Sequence, residues 1–308
     1  MNLPLKYKDQ LESLLDGYSL KELKSVAYFI MNQYQNGSGK GVDLIDSSLA
    51  SKVYAVYRLP ATYSAFGDAL QHTLEIYKNN IESVIDVGAG SGAASLAIHH
   101  LISSIKNYTL LERNKHMMEI GKSLHEFPYI NYDLSIDNLD INSDLVVASY
   151  VFNELDQNTK INAINKMWNM TNKILLIVET GTPEGFQIIR EIRDYLISIG
   201  GHIVSPCPHG HVCLNEWCHF SSRVARSKLH KDLKGGDAPY EDEKYCYIAF
   251  SKEEVIPCTR RILRHPQINP GFIELEVCTK EGISHIKYSK KDKELFKKAR
   301  KSNAGDQI

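Results

Sequence analysis

The residues best suited to chemistry lie in two stretches. The first is VIDVGAGSGAASLAI, residues 84–98, which sets Asp86 two positions before Gly88 and follows with Gly90 and Gly92. Glycines at this spacing let the backbone turn tightly and come close to a ligand at the positive end of a helix dipole. Glu112 closes the next apolar run, YTLLE, about 20 residues past the glycines, where a nucleotide ribose would have its hydroxyls bound. The second stretch is SPCPHGHVCLNEWCHF, residues 205–220. It carries Cys207, Cys213 and Cys218, half of the six cysteines of the chain, among His209, His211 and His219. Thiolates at such separations can converge on one metal centre. The histidines would favour zinc, whereas the loose spacing is closer to the runs around iron–sulfur clusters. A fourth cysteine ligand would have to be Cys246, Cys258 or Cys278, and Cys278 ends a strand just before a turn, from which a ligand can project.

The acid-first glycine pattern D-x-G-x-G-x-G is the form typical of class I methyltransferases, and it favours S-adenosylmethionine over NAD as the nucleotide. A glycine-rich turn without a ligand is the competing reading. Ser149, with Tyr150, Asn153 and Glu154 in SYVFNELD, follows another apolar run. At the carboxyl edge of a parallel sheet these residues would face cofactor and acceptor. Asp86, Gly88, Gly90, Gly92, Glu112 and Ser149 are the expected cofactor contacts; Tyr150, Asn153 and Glu154 are the candidates for the catalytic side, where no general base stands out.

Elements must hold these residues in position. Residues 1–80 read as helical, with Leu11, Leu14, Leu15, Leu20, Leu23, Val26 and Ile30 at helix spacing. Ser19 and Glu22 form a capping box, and NGSGKG at 36–41 reads as a loop. Short apolar runs at 83–88, 107–112, 144–149 and 173–179 alternate with helical stretches at 92–105, 114–126, 157–170 and 184–199. Such alternation predicts a doubly wound α/β sheet. Strands are expected at 244–250, 271–279 and 284–290, the last two forming a hairpin. The implied organisation is a helical region (1–80), a Rossmann-like core (81–204), a cysteine-rich and basic insertion (205–243) and C-terminal strands with a basic tail (244–308).

The net charge of −1 hides an asymmetry of −7 over residues 1–219 against +6 over 220–308. A basic third suggests a polyanionic partner. If HFSSRVARSKLHKDLK were helical, Arg223, Arg226, Lys231 and Lys234 would share a face that could meet RNA phosphates. No run approaches the roughly 18 apolar residues of a membrane span. The opening MNLPLKYKDQ lacks a secretory pattern, so a cytoplasmic protein without membrane contact is expected.

Taken in order, YAVYRLPATYSA, the glycine loop, SYVFNEL, ETGTPEGF, PCPHGHVC, WCHFSSRVARSKLHK, YEDEKYCYIAFSK and IELEVCTKEG resemble the methyltransferase-like proteins of the mitochondrial small ribosomal subunit and their bacterial relatives. The resemblance runs from about residue 50 to 290. It implies a class I methyltransferase fold with a [4Fe–4S] module held by Cys207, Cys213, Cys218 and Cys278, and work in small-subunit assembly and translation on or near rRNA; a monomer off the ribosome is expected. Two further readings stand beside a methyltransferase: an assembly factor that uses both cofactors only structurally, and a small-molecule methyltransferase with a structural zinc loop.

Overall fold

In the computed structural model the described residues are 1–35, 45–213 and 217–308, so the segment expected as the 36–41 loop lies outside them. Helices α1 (Leu5–Ser13), α2 (Leu20–Gln35) and α3 (Ser48–Leu74) precede the first strand. Ser19 accepts from the Glu22 amide at 3.3 Å, as a cap should. Helix α3 runs through Pro60 and buries small residues such as Ala55, Ala61, Ala65 and Ala69 along its length. Small side chains let so buried a helix approach the sheet closely.

The chain then alternates: β1 (Ser83–Val87), α4 (Ala93–Leu101), β2 (Asn107–Glu112), α5 (Lys115–Leu124), β3 (Tyr129–Asn131), β4 (Ser143–Ser149), α6 (Gln157–Met170), β5 (Thr171–Thr180), α7 (Pro183–Ser198) and β6 (His202–Ser205). Next come β7 (Phe220–Ala225), α8 (Lys228–Lys234) and β8 (Tyr240–Ser251). The sheet order is β3-β2-β1-β4-β5-β8-β6, with β7 paired to the other half of β8. Strands β1 to β5 are parallel, and β8 lies antiparallel between β5 and β6. This is the doubly wound sheet that the alternating runs predict.

Successive side chains of a strand face opposite sides, and that period assigns the two cores. Val84, Leu145 and Val147 pack with α3, α4 and α5. Ile85, Val87, Val146 and Ala148 pack with α6 and α7 on the other face. Both faces are covered, which is why the strands read as unbroken apolar runs. A second sheet holds β9 (Arg261–Ile262), β10 (Gln267–Asn269), β11 (Phe272–Thr279) and β12 (Gly282–Ser289), and α9 (Lys293–Lys301) packs against it. Strands β11 and β12 are the expected hairpin.

One expectation fails outright. Residues 220–234 are not a single basic helix but β7 followed by α8. Phe220, Ser222 and Val224 are buried while Arg223 and Ala225 are exposed, a period of two that a helix cannot satisfy. The common face imagined for Arg223, Arg226, Lys231 and Lys234 therefore does not exist.

Candidate functional site

The loop between β1 and α4 is held by backbone amides: Gly88 and Ala89 both donate to the Leu111 carbonyl, at 2.8 and 3.1 Å. Gly88, Gly90 and Gly92 take φ values of 67°, 55° and 85°, a region that a side chain would strain. A Cβ at Gly88 would also lie 2.5 Å from Val151 Cγ2, so only glycine fits here without displacing the wall opposite. Glu112, at the end of β2, accepts from the Gly90 amide and from the Asn114 amide, both at 2.7 Å. Burial raises its carboxyl above the usual range. Gly88, Gly90 and Glu112 line a crevice of about 360 Å³ together with Ser149, Tyr150 and Glu154.

Asp86 and Gly92 are not among the crevice-lining residues. Asp86 faces the α4 side of its strand, where Oδ2 accepts from Ser95 Oγ at 2.7 Å and Ser95 N at 3.2 Å. Burial, against those hydrogen bonds and with help from Glu112, pushes its carboxyl up to about 7. Gly92 is the N-cap of α4, with the His125 ring where its Cβ would be. Both residues support the loop from behind.

The opposite wall comes from β4 and its loop. Ser149 Oγ is buried without a hydrogen-bond partner. Tyr150 sits at a φ of 61° and donates its hydroxyl to Glu243 Oε1 at 3.1 Å. Glu243 in turn holds both terminal nitrogens of Arg58, at 3.1 and 3.0 Å, and the Arg58 guanidinium lies 5.2 Å from the Tyr150 ring centroid. Asn153 Oδ1 is buried and unpartnered, while Phe152 N donates to Glu179 Oε1 at 2.7 Å. Burial pushes the Glu179 carboxyl up to about 8. Arg58, Glu243 and Glu179 escaped the motif reading. A charged residue inside the apolar helix YAVYRLPATYSA was the available signal for Arg58.

Cys207, Cys213, Cys218 and Cys278 line one small cavity with Cys246 and His209, about 40 Å³ in volume, and among the described residues no aspartate or glutamate borders it. All six cysteines are free thiols. Burial pushes Cys207 up to about 11 and Cys278 up to about 12. Cys218 is raised well above its ordinary range, first by burial and then by its neighbours Cys207, Cys246, Cys278 and Cys213. Among the described residues no three His, Cys, Asp or Glu side chains are drawn close enough to hold a metal ion. The donor set among the described residues is nonetheless one that soft metals select: several thiols and an imidazole around a common space. Cys246 is occupied as a donor to the Cys218 carbonyl at 3.0 Å, and Cys258 gives its thiol to the Pro206 carbonyl at 3.6 Å. His211 and His219 do not border the cavity; they stack on His209 and on Trp217.

The basic residues are largely spent within the protein. Arg226 is buried against the carbonyls of Gly235, Gly236 and Ala238. Lys234 holds both oxygens of Glu241, at 2.9 and 2.8 Å. Arg223 is exposed but pairs with Asp242 at 3.0 Å and covers the Tyr240 ring. Lys231 lies on α8.

Residues 48–308 match the protein family described as mitochondrial small ribosomal subunit Rsm22. The chain is 23% identical over 291 residues to the human ribosome assembly protein METTL17, mitochondrial, covering 83% of this chain and 62% of that protein. It is 22% identical over 184 residues to Rsm22-cox11 tandem protein 2, mitochondrial, of Schizosaccharomyces pombe, covering 51% of this chain and 24% of that one. The chain thus spans less than two thirds of the length of either relative. A structure of the N-methyltransferase NodS from Bradyrhizobium japonicum WM9 with S-adenosyl-L-homocysteine is similar at a TM-score of 0.43 and 14% identity, covering 72% of this chain and 100% of that one. The cytoplasmic expectation is corrected by these relationships: the family and both relatives are mitochondrial. With a family match that runs from α3 to the last residue, over crevice and cysteine cavity alike, this chain belongs to the Rsm22 family of the mitochondrial small ribosomal subunit.

Proposed function

We propose that the crevice binds S-adenosylmethionine and that the protein acts on the small ribosomal subunit or its rRNA during assembly, as a methyltransferase. The observation that carries this reading is the convergence of Gly88, Gly90, Glu112 and Ser149 on one cavity at the carboxyl edge of the parallel strands. Glu112 stands where ribose hydroxyls would donate to it, and the glycine loop offers close backbone approach. Asp86 acts by bracing that loop through Ser95. When bound, S-adenosylmethionine supplies an electrophilic sulfonium methyl. The contribution of the chain is then positioning, which can provide most of the rate in such transfers. Ser149 and Glu154 border the acceptor space, Asn153, its Oδ1 buried, does not line the crevice, and Tyr150, tied to Glu243, fixes the shape of the wall.

We also propose that Cys207, Cys213, Cys218 and Cys278 hold a [4Fe–4S] cluster, with zinc as the alternative. The gathering of four thiols on one cavity supports this. The centre would cross-link the loop after β6 to β11 and so act on folding. RNA contact rests on the basic C-terminal third, with Arg223 and Lys231 the members of the original four still at the surface.

A second reading, an assembly factor that binds its cofactors without methyl transfer, is favoured by one observation. The Tyr150 hydroxyl, one of the polar groups on the acceptor wall, is already engaged by Glu243. Two measurements separate the readings: calorimetric titration with S-adenosylhomocysteine, and transfer of labelled methyl to purified small subunits. Binding with incorporation supports the enzyme, binding without it supports the assembly factor, and no binding overturns both. Iron, sulfide and zinc contents of protein purified without oxygen test the cysteine site, with about four iron and four sulfide expected per chain.

A further inference from the structure

Two arginines beside the cysteine cavity lie where arginines are seldom found. The side chains of Arg193 and Arg261 are 3% and 1% exposed, and both border the cavity. A buried guanidinium is costly unless a charge of opposite sign accompanies it. Arg193 Nη1 meets Asp194, the next residue, at 2.6 Å, but that carboxylate is half exposed and screened by water. Its Nη2 donates to the carbonyls of His209 and His211, at 2.9 and 2.7 Å, inside the loop from Cys207 to Cys213. Its Nε is buried with no partner. Arg261 gives its protons to Pro206 O, Gly305 O and Ser205 Oγ, at 3.2, 2.7 and 3.2 Å, and the carboxylate of Glu75 comes only to 3.9 Å. Arg190 also borders the cavity, but it is half-buried and hydrogen-bonds to Gln187.

We infer that Arg193, seconded by Arg261, is the counter-charge of an anionic thiolate centre in this cavity. The inference rests on the reading of Cys207, Cys213, Cys218 and Cys278 as ligands. Four thiolates around Zn²⁺ or a doubly positive [4Fe–4S] core carry a net charge of about −2, which two guanidiniums cancel. Four neutral thiols would leave each cation with only one partly exposed carboxylate, Asp194 for Arg193 and Glu75, at 3.9 Å, for Arg261. Arg261 anchors the carbonyl of Pro206, the residue before Cys207.

The alternative role for Arg193 is purely mechanical, as a clamp on two loop carbonyls. Arg193→Lys separates the two, because it keeps the charge and loses the forked clamp. The parent, Arg193→Gln and Arg193→Lys are purified without oxygen and compared in metal and sulfide content and in the half-time of metal loss to excess EDTA. Arg193→Gln is expected to release metal at least about 10-fold faster, as loss of a group just outside the ligand shell commonly does. Arg193→Lys is expected to stay within about 3-fold of the parent. Equal release from Arg193→Gln and parent overturns the inference, as does an Arg193→Lys protein that loses metal as fast as Arg193→Gln. Should Arg193→Gln fail to fold, Arg193→Met takes its place as the uncharged variant, with the same two outcomes. A parent without any metal removes the ligand reading itself, an outcome distinct from a loaded parent with unaffected variants.

Discussion

Replacing Asp86 by asparagine tests the loop-bracing role most directly. Asp86 is 1% exposed, and its carboxyl titrates near 7 rather than at its ordinary 3.8, because burial opposes the charge more than the two Ser95 hydrogen bonds favour it. Between those two values the folded protein holds a proton that the unfolded chain has released. Stability must therefore fall as pH rises across this window and level off above about 7. A shift of about three units, at roughly 1.4 kcal/mol each, amounts to about 4 kcal/mol. Asparagine keeps an acceptor for Ser95 and carries no charge to bury. Asp86→Asn should match the parent near pH 4 and exceed it by about 2–4 kcal/mol at pH 8. Urea unfolding of both proteins at several pH values provides the assay. Glu112 and Glu179 also titrate high, so the parent slope contains them, and the difference between the two proteins isolates position 86. Parallel stability curves, or a variant weaker than the parent at pH 8, would refute the argument.

Gly88→Ala should lower affinity for S-adenosylhomocysteine at least about 10-fold, because a left-handed alanine costs roughly 1–2 kcal/mol and its methyl would drive Val151 out of the crevice wall. Unchanged calorimetric affinity would sink that expectation. Glu241→Gln probes the other end of the pH scale. Burial raises this carboxyl, but His230 and Lys234 outweigh burial and bring it to about 2. Its folded value lies below its unfolded one, so the stability it contributes is present above about pH 4.5 and lost as pH falls towards 2. Glu241→Gln should cost about 1–2 kcal/mol at pH 7 and close to nothing at pH 2.5, discounted for partial exposure; equal melting temperatures at pH 7 would contradict it.

Much of the core was legible because parallel strands covered on both faces leave unbroken apolar runs, and the runs ending in Val87, Glu112, Ser149 and Thr180 are those strands within a residue or two. The β11–β12 hairpin was legible for a related reason: two alternating runs flank a short glycine-containing turn. Strand β7 was not. Its six residues are too few to outweigh the basic residues around them, and its period of two is enforced by pairing with β8, which lies 15 residues or more further along the chain.

Sequence alone determined which residue types meet near the ends of the strands, since glycine spacing and the acid after β2 are local facts that any doubly wound sheet turns to the same edge. It also determined that several thiols would gather, but not what surrounds them. Tertiary structure decided the rest through strand parity and burial. Parity turned Asp86 towards α4 and away from the crevice. Packing brought Arg58 of α3 to Glu243 of β8, 185 positions away, and set Arg193 and Arg261 beside cysteines from three separate segments. Charge pairing of this kind depends on which groups lose their water together, and that is settled only when distant elements close on one another.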